Sequence, residues 1–249
     1  MTPTVLLLGG TTEAMQMGKA LAAQGVRATI SLAGRVKTPA DQPLPVRVGG
    51  FGGVDGLVDY LGSQGVTHVI DATHPFAAQM SANAVSACDA LDLPLLALTR
   101  APWQAGAQDR WTHVRDVEGA AAALAGPARR VFLALGRMNL PAFAAQPQHD
   151  YLLRLVDAPE GLPLPKAQVV VDRGPFDLEG DLALMRAHGT DLVVSKNAGG
   201  TGAQAKIIAA RQLGLPVVMI DRPAIPPRTE AHSVQEALDW LHGVTARGV

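Results

Sequence analysis

Short apolar runs rich in branched residues alternate with longer alanine-rich stretches of helical period, and this alternation constrains the fold more than any other feature. Strands are expected at residues 4–8 (TVLLL), 27–32, 44–49, 68–72 and 94–99, with helices near 12–24, 54–64 and 77–91 between them. A second series follows, with strands at 130–135, 151–155, 168–172, 191–195 and 216–220 and helices near 177–187, 202–213 and 233–245. Continuous apolar strands belong to parallel sheets, where crossover helices cover both faces. The repeated order therefore predicts an α/β protein with two Rossmann-like domains, mainly parallel sheets and a ligand cleft between them. Residues 1–126 and 127–249 are the expected halves, with the boundary near Gly126 and Pro127. Strands near that boundary could join either sheet. The proline-rich stretch RPAIPPR, residues 222–228, reads as an extended connector leading into the last helix.

Composition removes several functions. A formal net charge of -1 argues against non-specific nucleic-acid binding, which relies on a strong positive excess. The single cysteine, Cys88, allows no internal disulfide, fits a reducing compartment and reads as a buried structural thiol. No basic segment followed by an apolar signal core opens the sequence, and the apolar runs fall short of the roughly 20 residues that span a bilayer. The expectation is a cytoplasmic protein with no membrane partner, and, lacking a heptad or an apolar surface stripe, a monomer. Zinc chemistry would need clustered ligands, but the seven histidines are scattered, so no metal is expected. G-x-S-x-G is absent, as is Tyr-x-x-x-Lys: Gln64 lies four residues after Tyr60, and Leu155 four after Tyr151.

The first strand runs directly into Gly9, Gly10, Thr11, Thr12 and Glu13. Glycines let a phosphate approach the backbone, and the unpaired N–H groups of a helix N-terminus can hold it. In the dinucleotide fingerprint G-x-G-x-x-G/A, Thr11 stands at the second glycine and Ala14 at the last position. A purely structural turn would use the same residues. The end of the second strand offers Ser31, Gly34 and Arg35 in place of the acidic residue that binds the adenine ribose of NAD. A guanidinium there suits the 2′-phosphate, so NADPH is favoured over NADH. Gly50 and Phe51 follow the third strand, and Thr73 and His74 in DATHPFA follow the fourth, where open α/β sheets bind ligands.

The ordered set LLLGGTTEA, SLAGR, GGFGG, DATHPFA, LTRAPW, ALGRMNL, RGPF and SKNAGGTGAQAKIIAAR covers nearly the whole chain and resembles the precorrin-6A reductase family of cobalamin biosynthesis. The resemblance implies an oxidoreductase in which NADPH delivers hydride to C19 of the precorrin-6A macrocycle, giving precorrin-6B. It also implies a small, anionic, tetrapyrrole-derived substrate. Its carboxylates would meet His74, Arg137, Asn139, Arg173, Lys196, Asn197, Gly200 and Thr201, most of them at strand ends in the second half. NAGGTG lacks the spacing of a P-loop but could seat a carboxylate, and Lys206 beyond it reads as a surface lysine. His74, Lys196 and Asp172 are candidate proton donors, and water is a further one. The alternatives are a cobalt-precorrin-6A reductase, a sugar-nucleotide transferase and a non-enzymatic NADP-sensing module.

Overall fold

The computed structural model describes residues 2–34, 41–172, 174 and 176–246, with the side chains of Thr245 and Ala246 left aside. It divides into two compact units, Met1–Arg100 with Ala224–Val249, and Ala101–Pro223. Each contains a six-stranded sheet in which every pairing is parallel.

The first unit is built from β1 (Thr4–Leu8), α1 (Thr12–Ala23), β2 (Arg27–Leu32), β3 (Val46–Val48), α2 (Val54–Ser63), β4 (His68–Asp71), α3 (Ala78–Leu91) and β5 (Leu95–Leu98). Its strand order is β12-β5-β4-β1-β2-β3, where β12 is Thr229–Ala231 and α7 (Val234–Ala246) follows it. The apolar run of β1 is continuous because alternate side chains serve different layers. Val5 and Leu7 join a core with Ala14, Met17 and Leu21 of α1 and Ala237, Leu238 and Leu241 of α7. Leu6 and Leu8 join Leu57 and Leu61 of α2 and Ala84, Ala87 and Cys88 of α3.

The second unit comprises β6 (Arg110–Val114), α4 (Val117–Ala122), β7 (Arg130–Ala134), a 3-10 segment (Arg137–Ala145), β8 (Asp150–Leu155), β9 (Ala167–Val171), α5 (Leu178–His188), β10 (Leu192–Lys196), α6 (Ala205–Gln212) and β11 (Pro216–Ile220), in the order β6-β11-β10-β7-β8-β9. Phe132, Leu152, Val193, Val217 and Met219 pack with Leu182 and Met185 of α5 and Ile207, Ala209 and Ala210 of α6. Pro141 sits inside the segment after β7, where a missing N–H and the ring's bulk disfavour an α-helix, and 3-10 turns form instead.

The boundary expected at residues 126 and 127 is corrected to two crossings, after Arg100 and after Pro223. β6 follows β5 in the chain but pairs with β11, and β12 follows β11 but pairs with β5. The first sheet thus takes its sixth strand from beyond the second unit, whereas the second sheet is built from one continuous run, β6 to β11. The proline-rich connector leads first to β12 and only then to α7.

Candidate functional site

In the first unit, β1 lies between β2 and β4, so the connections diverge there to opposite sides of the sheet. Ligands of open α/β sheets bind beyond the carboxyl ends of the strands at such a reversal. Gly9–Thr11, Ser31–Gly34, Gly50–Phe51 and Thr73–His74 all follow or close strands at that rim. Arg35 lies outside the described residues.

Thr11 caps α1: its hydroxyl accepts from Ala14 N at 3.1 Å and donates to Ala72 O at 2.7 Å. Its one hydroxyl proton therefore ties the helix start to the chain after β4, and its backbone is what a phosphate would meet. Gly10 adopts φ +113°, which side chains other than glycine's rarely reach, and a Cβ built there meets nothing within 4 Å. An open space beside a glycine and a helix N-terminus fits a pyrophosphate. Thr12 is exposed in the first turn. Glu13, which would repel that anion, stands 3.7 Å from Arg100 Nε at the end of β5.

Ser31 is buried, and its Oγ accepts from Arg47 Nη1 at 3.4 Å. Arg47 also donates to Gly49 O and Gly50 O, at 2.6 and 2.7 Å. Its guanidinium lies 3.7 Å above the Phe51 ring, and that ring meets Tyr60 edge-on at 5.2 Å. One face of Phe51 is thus taken by protein.

A buried carboxylate organises the end of β4. Asp71 Oδ1 accepts from Thr73 N at 3.1 Å and Thr73 Oγ1 at 2.7 Å, while Oδ2 accepts from Ser81 Oγ at 2.6 Å and Arg228 Nη1 at 2.8 Å. Thr73's hydroxyl proton is committed to Asp71. His74 is exposed, and its Nδ1 accepts from Phe76 N at 3.2 Å, which puts the proton of the neutral ring on Nε2.

The second unit repeats the geometry with different chemistry. Its reversal lies at β7, between β8 and β10. Lys196 Nζ at the end of β10 donates to Asn139 Oδ1 at 3.2 Å, bringing those two predicted residues together across the crevice. Arg137 and Met138 beside them are exposed, Met138 to 76%. No glycine turn runs into an α-helix after β7, because the 3-10 segment occupies that place.

Asn197 is buried and committed to the fold. It accepts from Trp103 N at 2.8 Å and donates to Trp103 O at 3.0 Å. Trp103 Nε1 donates to Gly200 O at 2.7 Å, and Arg222 donates to Asn197 O and Ala198 O, both at 3.0 Å. A Cβ at Gly199 would meet Ala101 O at 2.2 Å, so only glycine fits against that carbonyl. These bonds leave Thr201 exposed at the tip of a braced loop. Lys206, expected at the surface, is buried: its ammonium donates to Ala203 O at 2.6 Å and sits 5.1 Å from the Trp103 ring.

Asp172 is exposed beyond β9, three strands from Lys196 or about 14 Å at ordinary strand spacing, so the two do not share one point of the rim. Arg173 lies outside the described residues, though Phe176 of the same RGPF motif is the platform for Arg154, 3.5 Å above its ring. Among the described residues no cluster of three or more metal-ligating side chains forms, and no helix is long and apolar enough to cross a membrane.

Sequence reading passed over Arg47, Asp71, Arg100, Trp103, Arg222 and Arg228. The one available signal was the pair of arginines bracketing the proline-rich connector.

Residues 4–242 match the family model described as precorrin-6x reductase CbiJ/CobK. A precorrin-6A reductase of Rhodobacter capsulatus is 60% identical over 98% of this chain and 99% of that protein. One of Mycobacterium tuberculosis is 43% identical over 98% and 99%. A cobalt-precorrin-6A reductase of Priestia megaterium is 31% identical over 95% and 97%. A solved structure titled CobK precorrin-6A reductase superposes with a TM-score of 0.93 at 59% identity, covering 97% of this chain and 96% of that one. With the glycine turn on one switch point, the cationic crevice on the other and relatives matched almost end to end, the chain belongs to the precorrin-6x reductase CbiJ/CobK family.

Proposed function

We propose that this chain reduces precorrin-6A to precorrin-6B with NADPH, the first unit holding the dinucleotide and the second the macrocycle. Its standing as a precorrin-6A reductase of cobalamin biosynthesis rests on 60% identity across nearly the full chain. That sets aside the sugar-nucleotide transferase and the sensing module. The metal-free substrate is favoured because the relative at 60% identity is named for precorrin-6A, whereas the cobalt-precorrin-6A reductase matches at 31%.

The observation that carries the division of labour is the difference between the two switch points. Only the first has a glycine at φ +113° running into an α-helix whose start is capped by its own threonine. When bound, NADPH supplies the hydride; the protein supplies position and electrostatics. The backbone of Gly10 and Thr12 would seat the pyrophosphate. Ser31 stands where the adenine ribose lies in such folds, and Thr73 and His74 stand at the switch point itself.

In the second unit, Lys196 and Arg137 offer cations at one rim and Met138 an exposed apolar side chain beside them. That pairing suits a flat apolar ring fringed by carboxylates. Lys196, held by Asn139, is the better placed of the two second-unit proton-donor candidates, since Asp172 lies on the far edge strand.

The test is an anaerobic reaction of the purified protein with precorrin-6A and NADPH, followed by nicotinamide absorbance and the macrocycle spectrum together. Coupled loss of NADPH and appearance of a dihydro product is the expected result. Oxidation of NADPH without a change in the macrocycle, or turnover only with the cobalt substrate, would overturn it.

A further inference from the structure

From the fixed fork at the end of β3 we infer that Arg47 reads the 2′-phosphate of the dinucleotide and, with Ser31, sets the preference for NADPH. This rests on the NADPH reading above and adds a specificity residue to it.

Arg47 is the register partner of Ser31 across β2 and β3. It therefore sits at the edge of the sheet where an NAD enzyme carries its ribose-binding acid, and no acid occupies residues 31–34 here. Gly34, at φ +70°, turns the chain over the same strand, and a Cβ there would lie 3.0 Å from Val48 Cγ1.

Among the described residues no carboxylate pairs with Arg47; its partners there are Ser31 Oγ, two carbonyl oxygens and two aromatic faces. Carbonyls orient a guanidinium without cancelling its charge. The bonds to Gly49 O and Gly50 O and the stack on Phe51 fix the plane of the fork in advance. They use Nη1 and one proton of Nη2, leaving Nε and the other Nη2 proton as donors. Ser31 accepts from Arg47, so its own hydroxyl proton turns away from the guanidinium and can be given to the same anion. A phosphate dianion bound by a fixed guanidinium and a hydroxyl is a charge-assisted, geometrically selective contact. The 2′-hydroxyl of NADH would find the same donors but bring no charge to them.

A rival role is structural, in which Arg47 only staples the Gly49–Gly50 turn and weakens every ligand of the unit when lost. The two separate in a titration of full-length protein with NADPH and with NADH by nicotinamide fluorescence, no macrocycle being present. Wild type is expected to prefer NADPH. Arg47→Met should raise the dissociation constant for NADPH about 10- to 100-fold and that for NADH by less than about twofold. Arg47→Lys keeps a point charge without the fork and should recover part of the preference; it decides the question if Arg47→Met does not fold. Equal losses for both dinucleotides in the lysine variant, or no wild-type preference, overturn the assignment. A wild-type chain that binds neither dinucleotide overturns the NADPH reading, and the role of Arg47 falls with it.

Discussion

Arg228, the last residue of the proline-rich connector, donates from Nη1 to Oδ2 of Asp71 at 2.8 Å, with both side chains shielded from solvent. Asp71 ends β4, and three further donors reach it, two from Thr73 and one from Ser81, so one carboxylate joins the strand end, the loop after it, α3 and the entry to β12. The chain returning from the second unit is thereby fastened to the rim where the dinucleotide is proposed to bind.

Removing the cation leaves that carboxylate buried. Arg228→Leu is expected to lower stability by about 3–5 kcal/mol in urea denaturation, because the desolvation of Asp71 is no longer compensated. Combining it with Asp71→Asn should recover part of the loss. A single-variant cost under about 1 kcal/mol would mean that solvent already screens the pair.

Thr11→Val removes both the cap on Ala14 N and the bond to Ala72 O. A stability loss of about 1–2 kcal/mol is expected. Gly10→Val forces a β-branched residue to φ +113° and fills the cradle, so NADPH affinity should fall along with stability. Calorimetric titration of NADPH against both variants separates the effects, since Thr11→Val keeps its backbone donors.

Acid sensitivity should begin near the ordinary histidine value. Burial lowers the pKa of His68 below 6.5, and burial likewise outweighs Asp150 at His188. The unfolded chain takes up these protons around pH 6.5 while the folded chain still refuses them, so stability is complete above that pH and declines as pH falls from 6.5 towards the lowered folded values. Urea midpoints at pH 7.5 and 5.5 check the sign, and His68→Phe should flatten the profile. A midpoint that rises on acidification would contradict it.

Cys88 is expected to be inert in the native protein. Burial first, then the charges of Asp89 and Asp71, push its thiol up to about 12, so almost no thiolate exists at pH 8. Iodoacetamide at that pH should leave folded protein unmodified and alkylate the single cysteine once it is denatured.

Neutralising Lys196 tests the second switch point. Lys196→Gln should raise KM for precorrin-6A about tenfold, or slow reduction, while NADPH affinity stays at the wild-type value. Unchanged substrate kinetics would remove Lys196 from the macrocycle's contacts.

Much of this architecture was legible because it is written in runs. Strands buried on both faces need apolar residues at every position, and each such run from TVLLL to PVVMI forms a strand, its observed ends close to those expected. What escaped was the polar periphery. β6, RWTHV, lies largely exposed at a sheet edge, and β12 is the three residues TEA, so neither carries a hydrophobic pattern strong enough to announce a strand. Missing them displaced the boundary between the units.

The site divides in the same way. Glycine turns after strands follow from local sequence, and position alone placed Thr73, Lys196 and Asn139 at the rims. Position does not tell which way a side chain is spent. Asn197 stands in the right place but gives its amide to Trp103, 94 residues away, and Asp71 finds its cation 157 residues away. Such long-range pairings leave no periodic trace for a single sequence to show.

The distant sixth strand of the first sheet bears on how the chain is made. During synthesis the first five strands of the opening sheet emerge early, yet β12 and α7, which supplies Ala237, Leu238 and Leu241 to one of its cores, emerge only after the whole second unit. The second unit, Ala101–Pro223, is a continuous stretch and has its full complement of strands before β12 and α7 are made. A nascent chain therefore completes its later unit first, and the first unit waits, with an apolar flank uncovered, until α7 has emerged.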